Sequence, residues 1–173
     1  MTDNHWPPRG IKPLRTALDE LAESVANRPS TRSVDEQIWL TRFLVVRTCG
    51  CLEQTVREVA RGYVQGKSGG LVRTFAHSWL EKSRTPSVDN LYDLVGRFDT
   101  TLRDELQGFL EHDDQRLHRE LSFLVDRRHK IAHGLNEGLN SAKAISLKDD
   151  AYEIADWFID NLNPNMAIAP KSR

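Results

Sequence analysis

Apolar residues recur at three- and four-residue spacing along nearly the whole chain, and no stretch alternates with the period of two that a half-buried strand requires. Leu14, Ala17, Leu18, Leu21, Ala22 and Val25 predict a first helix, with Pro13 suited to its first position. Residues 27–31, with Pro29, end it. Ser33-Val-Asp-Glu36 then fits a capping box, a serine followed three residues later by a glutamate. The helix it opens is marked by Ile38, Leu44, Val45, Cys49, Leu52, Val56, Val59, Ala60 and Tyr63, and is expected to run to Gly62 or Gly66. Gly50 lies inside it at a cost of about 1 kcal/mol relative to alanine.

A break at Gln65-Gly-Lys-Ser-Gly-Gly70 follows, and a third helix carries Leu71, Val72, Phe75, Ala76, Trp79 and Leu80. The turn Ser83-Arg-Thr-Pro-Ser87 opens a short helix with Leu91, Leu94, Val95 and Phe98. Asp99 or Thr100 caps another, with Leu102, Leu106, Phe109 and Leu110. Glu111-His-Asp-Asp114 closes that one and starts the next, which holds Leu117, Leu121, Leu124, Val125 and Arg128 and runs into His133. Gly134 is placed as a left-handed C-terminal cap. A polar loop is expected from Leu135 to Ile145, and Ser146-Leu-Lys-Asp149 as the capped start of a last helix built on Tyr152, Ala155, Trp157, Phe158, Ile159 and Leu162. The pattern therefore predicts one all-α bundle of about six to seven helices. A flexible N-terminal arm is expected over residues 1–12, a single domain over 13–162 and a tail over 163–173.

Length and composition agree with that picture: 173 residues, 39% hydrophobic and 28% charged, describe a soluble globular domain. The apolar runs are too short to span a bilayer, and the first ten residues lack the apolar core of a secretory signal, so the cytoplasm is the expected compartment and no membrane partner is expected. Cys49 and Cys51, two apart on a helix, point in nearly opposite directions and read as small helix residues rather than a disulfide or metal pair. The net charge of −1 supplies no global basic field, so a nucleic-acid role must come from a local site or an oligomer.

Candidate chemistry concentrates in Leu124-Val-Asp-Arg-Arg-His-Lys-Ile-Ala-His-Gly134. Basic residues near a helix C-terminus are favoured by the helix dipole alone. With 17 arginines and six histidines, an arginine followed by a histidine after four to six residues is expected roughly once or twice by chance, so the spacing alone is weak. The arrangement is more selective. Only His133 has an arginine at such a spacing: Arg128 with four residues between and Arg127 with five. Arg128 follows Leu121, Leu124 and Val125 on the core-facing side, where a charged head needs a partner or an opening. A guanidinium binds phosphate oxygens in bidentate fashion, and an imidazole serves as general acid or base near neutral pH. Together they suffice for metal-free phosphodiester transfer.

Other chemistries fit less well. His129 and His133, four apart, have the spacing of a metal pair, but Lys130 stands where HExxH requires glutamate and no third ligand is assigned. Gly66-Lys67-Ser68 imitates the end of a P-loop, but Arg61 occupies the first glycine position and no strand precedes it. No serine-nucleophile elbow is present. Trp39, Trp79 and Trp157 read as core or interface anchors.

Arg128-His-Lys-Ile-Ala-His133-Gly134 resembles the R-polar-x-x-x-H motif of HEPN domains. The surrounding chain extends the likeness: Cys51-Leu-Glu-Gln-Thr-Val-Arg-Glu58 is similar to the family's first core helix, and the stretch from Leu91 to Leu110, with Gly96-Arg-Phe-Asp99, to the middle segment of the branch found with the RiboL-PSP-HEPN and MAE_28990-type proteins. The likeness covers about residues 35–162 and leaves the first helix as an extension. It implies an all-α domain that dimerises and cleaves RNA without metal or cofactor, by attack of the ribose 2′-hydroxyl. Carried over, Arg128 stabilises charge on the phosphoryl oxygens and His133 is the general base or acid, both facing their counterparts across a homodimer interface. His129 is then expected to orient or contact the RNA, with Arg127 and Lys130 adding phosphate contacts. A toxin or defence effector, with an antitoxin or other regulatory protein as partner, is the biological role the resemblance suggests; the alternative it leaves is a catalytically silent HEPN module that binds RNA, nucleotide or a partner protein. Leu135 replaces the tyrosine found two residues after the histidine in the branch paired with nucleotidyltransferase antitoxins, so modification of that tyrosine is not available here.

Overall fold

The computed structural model describes residues 5–81, 85–135 and 138–166. Among these residues there are six helices and no strand: α1 (Ile11–Ala26), α2 (Val34–Lys67), α3 (Gly70–Leu80), α4 (Val88–Phe98), α5 (Thr100–Ala132) and α6 (Ser141–Asn161). The expected all-α bundle is what forms. The 34-residue α2, about 51 Å long at 1.5 Å per residue, is the axis and packs against α1, α3, α5 and α6. Its buried residues Leu44, Val45, Cys49, Leu52, Val56 and Val59 keep the three-four spacing that buries one face. From the other helices Leu18, Val95, Leu106, Leu121, Leu124, Leu147, Ile154 and Phe158 close the core.

The helix boundaries follow local chemistry. Ser33 caps α2 as expected: Glu36 N–H donates to its hydroxyl at 3.2 Å, and the Ser33 N–H donates to the Glu36 carboxylate at 2.9 Å. Because α2 continues to Lys67 and Ser68 is its C-cap, the Gly66-Lys67-Ser68 sequence lies at a helix end and not in a phosphate-binding loop. Asp99 both ends α4 and opens α5, its carboxylate accepting from the Thr101 and Leu102 N–H groups. The stop-and-restart expected at 111–114 occurs inside α5. His112 is extended, and Asp113, Asp114 and Gln115 adopt positive φ of 52–59°, so residues 100–111 and 116–132 form two straight pieces. Aspartate tolerates that left-handed conformation better than most residues, which accounts for Asp113 and Asp114 but not for Gln115. Arg119, bonded to Asp114, secures the restart.

Several expectations require correction. The last helix does not start at Ser146. It starts at Ser141, capped by Asn140, whose side-chain oxygen accepts the Lys143 N–H at 2.7 Å. Ser141 is held from α2 by Gln37 and Thr41, which is a tertiary signal that sequence spacing does not carry. The polar loop is thus shorter than expected; residues 136–137 within it lie outside the described residues, as do 82–84 of the expected turn, 1–4 of the arm and 167–173 of the tail. The arm is docked from Trp6 onward. The Trp6 indole N–H donates to the Ile159 carbonyl at 2.9 Å, and its ring packs on the core beside Gly62. Ile11, expected in the arm, is a buried residue of α1. On α3 the apolar stripe faces outward: Leu71, Val72 and Phe75 are 68–89% exposed, and of this helix only Leu80 is buried. Of the tryptophans expected as core or interface anchors, Trp157 packs against Phe109 and Phe158, while Trp39 is 66% exposed and so is not in the core.

Candidate functional site

The second piece of α5 is fixed to the bundle before it presents any chemistry. Arg116 at its start binds Asp150 and Glu153 of α6, and Glu120 pairs with Lys143. Leu117, Leu121 and Leu124 bury the same face. These anchors set the helix rotation, and with it the direction of every later side chain.

The C-terminal end is built by a Schellman turn. His133 is the cap residue, the Gly134 N–H donates to the Ile131 carbonyl, and the Leu135 N–H donates to the Lys130 carbonyl, both at 3.0 Å. Gly134 has φ of +74°, the conformation that glycine adopts without the steric cost a Cβ brings. The turn leaves His133 exposed, with its ring centroid 4.3 Å from that of His129 one turn earlier.

Arg128 and His129 open into one groove of about 550 Å³ between α4 and α5. Its α5 wall carries His118, Ser122, Val125, Asp126, Arg128 and His129, and the wall opposite is Thr85, Ser87, Val88 and Asp89. Arg128 is half-buried, and among the described residues it makes no hydrogen bond or ion pair. Its other neighbour is Cys49 of α2. Burial pushes the Cys49 thiol up to about 11, and the positive charge of Arg128 acts in the opposite direction. The guanidinium thus sits where α2, α4 and α5 meet, aimed into open space and uncommitted to any described carboxylate.

The five residues expected at the site divide. Arg128 and His129 share the groove, and His133 adjoins it through His129. Arg127 and Lys130 do not line it. The Arg127 guanidinium lies 4.6 Å over the Phe123 ring with its Nε 3.8 Å from Asp126, and its side chain is only 19% exposed. Lys130 Nζ is 3.2 Å from the same Asp126 carboxylate. Residues one apart on a helix diverge by about 100°, which is why adjacent arginines serve different faces. Sequence reasoning missed His118, Ser122 and the α4 wall. His118 carried a signal, since it precedes His129 by eleven residues, three helical turns. Among the described residues no three His, Cys, Asp or Glu side chains converge, so the His129–His133 pair gains no further metal ligand from them.

No curated protein and no solved structure matches the chain. The sequence model of one family, RiboL-PSP-HEPN, matches residues 13–163. The matched span begins inside α1 and passes the end of α6. The first helix, expected to lie outside the likeness, is therefore inside it. With nearly the whole bundle and the Arg128–His133 segment covered, the chain belongs to the RiboL-PSP-HEPN family.

Proposed function

We propose that the protein is a metal-independent endoribonuclease of the HEPN type, acting as a homodimer. Family membership points generally to nuclease or RNA-binding function. The observation that carries the finer reading is the Arg128 guanidinium: half-buried, without a described partner, and opening into a groove it shares with His129, whose ring meets His133. A cation desolvated in this way is prepared for an anion, and bidentate pairing with phosphate is the contact arginine makes best.

In this reading the ribose 2′-hydroxyl attacks the adjacent phosphorus. A base takes its proton, the bond from phosphorus to O5′ breaks, and an acid protonates the departing O5′. The products are a 2′,3′-cyclic phosphate and a 5′-hydroxyl. Arg128 stabilises the charge that grows on the phosphoryl oxygens, and His133 serves as base or acid. His129 orients the RNA. Arg127 and Lys130, already paired with Asp126, supply a weaker and more distant field. A role as a toxin or defence effector, controlled by an antitoxin or other regulatory protein, is consistent with an RNA-cleaving domain of this size.

One observation favours the alternative, a silent RNA-, nucleotide- or protein-binding module. Within a single chain His133 does not line the groove that holds Arg128. The catalytic reading therefore depends on a second protomer bringing its own pair to the first. The test incubates single-stranded RNA with protein in EDTA, comparing wild type with Arg128→Ala and His133→Ala, alongside sedimentation at micromolar concentration. Cleavage by a dimer, lost in both variants, is expected. A monomer that binds RNA without cutting it supports the alternative.

A further inference from the structure

The groove beside Arg128 extends along α5 well past Arg128 and His129. Taking about 100° per residue, His118, Ser122, Val125 and His129 fall within about 60° of the helix circumference, and all four line the groove. At about 1.5 Å per residue His118 and His129 stand about 16 Å apart along α5. That distance spans several nucleotides of a stacked strand, which advances about 3.4 Å per nucleotide.

The chemistry changes along this length. At one end is the Arg128 guanidinium, suited to a phosphate. Among the described lining residues Arg128 is the only lysine or arginine, and the wall across from α5 offers the exposed Asp89 carboxylate and the Ser87 and Thr85 side chains. Asp126, between the ends, is occupied by Lys130 and Arg127. A carboxylate repels phosphate but accepts hydrogen bonds from base amines. Val125 forms an apolar floor, and the Ser122 hydroxyl donates to the His118 carbonyl at 2.9 Å, which leaves its oxygen able to accept. The described part of this surface suits bases better than backbone. Single-stranded RNA is bound in this way, with splayed bases stacked on aromatic side chains, histidine included.

We propose that the α4–α5 groove is the track for the single-stranded RNA leading to the scissile phosphate, and that His118 is its far contact, a platform on which one nucleobase stacks. This rests on the RNA-cleaving reading of Arg128 and His133, yet it fails or stands separately. The measurement is fluorescence anisotropy of a labelled eight-nucleotide single-stranded RNA of mixed sequence, in a His133→Ala background that stops turnover. His118→Ala is expected to weaken binding about tenfold, within the range of one lost stacking contact. His118→Phe, which keeps a ring, is expected to bind within about twofold of the background. His112→Ala, an exposed histidine at the break in α5 and outside the groove, serves as control and leaves binding unchanged. With His133 intact, His118→Ala raises KM and leaves kcat near wild type. Equal affinity of His118→Ala and background, equal loss in His118→Ala and His118→Phe, or absence of RNA binding overturns the track. RNA binding that depends on His118, in a wild-type protein that never cleaves, overturns the ribonuclease reading and retains the track.

Discussion

The rings of His129 and His133 lie 4.3 Å apart, centroid to centroid, and a single glycine sets that relationship. His133 is the last residue before the chain turns at Gly134, whose φ of +74° allows the Schellman hydrogen bonds to close. Replacing Gly134 by alanine places a Cβ in a left-handed conformation that costs roughly 1–2 kcal/mol. Space is not the obstacle, since nothing lies within 4 Å of the added Cβ. Gly134→Ala should therefore lower the unfolding free energy by that amount, and Gly134→Asn by less. Equal stability of glycine and alanine at this position, by urea titration, would contradict the turn described.

Two other glycines predict opposite signs. A Cβ at Gly50, inside α2, meets nothing within 4 Å. Gly50→Ala is expected to stabilise the protein by about 1 kcal/mol through helix propensity. At Gly62 the same Cβ would stand 3.0 Å from the Trp6 ring and 3.2 Å from Pro8. The indole cannot retreat freely, because it donates to the Ile159 carbonyl. Gly62→Ala should destabilise by about 1–3 kcal/mol, as overpacking does. A Gly62→Ala urea midpoint at or above wild type would show that the N-terminal segment is not packed on α2.

Cys49 gives a pH prediction. Its thiol is pushed by burial from the usual 9.0 to about 11. Between those values the unfolded chain releases a proton that the folded chain retains. Stability from this site is therefore fully present below about pH 9 and declines as pH rises toward 11. Many groups titrate in that window, so the quantity to follow is the difference between wild type and Cys49→Ala. The two stabilities should draw together as pH rises from 8 to 11; a constant difference would mean the thiol is not held protonated.

The outline of this fold was legible because most of its signals are local. Ser33 with Glu36, Asp99 and Gly134 each work within one turn of helix, and the break at residues 112–115 is announced by a run of polar residues in a periodic pattern. What escaped was set by contacts distant in sequence. Asn140 begins α6 because Ser141 meets Gln37 and Thr41 of α2, and Trp6 docks because Ile159 offers a carbonyl. The site divided in the same way. Arg128 and His133 stand out as candidates because they share one helix that ends at a glycine, not by spacing alone. That Arg127 and Lys130 turn to Asp126 follows from the rotation of α5, fixed by Arg116 on α6. The apolar residues of α3 matched a helix period, but periodicity does not tell whether a partner face exists; Leu71, Val72 and Phe75 found none among the described residues.

The central claim is that Arg128 and His133 direct attack by the 2′-hydroxyl on phosphorus. It is tested most directly by the end groups of the fragments. RNA is incubated with wild-type protein in EDTA, and the products are resolved by mass spectrometry, with Arg128→Ala run in parallel. The account predicts 2′,3′-cyclic phosphate and 5′-hydroxyl ends from the wild type, and a rate at least a hundredfold lower from Arg128→Ala, the scale of losing one transition-state contact. Fragments bearing 5′-phosphates, or cleavage undiminished in Arg128→Ala, would contradict it.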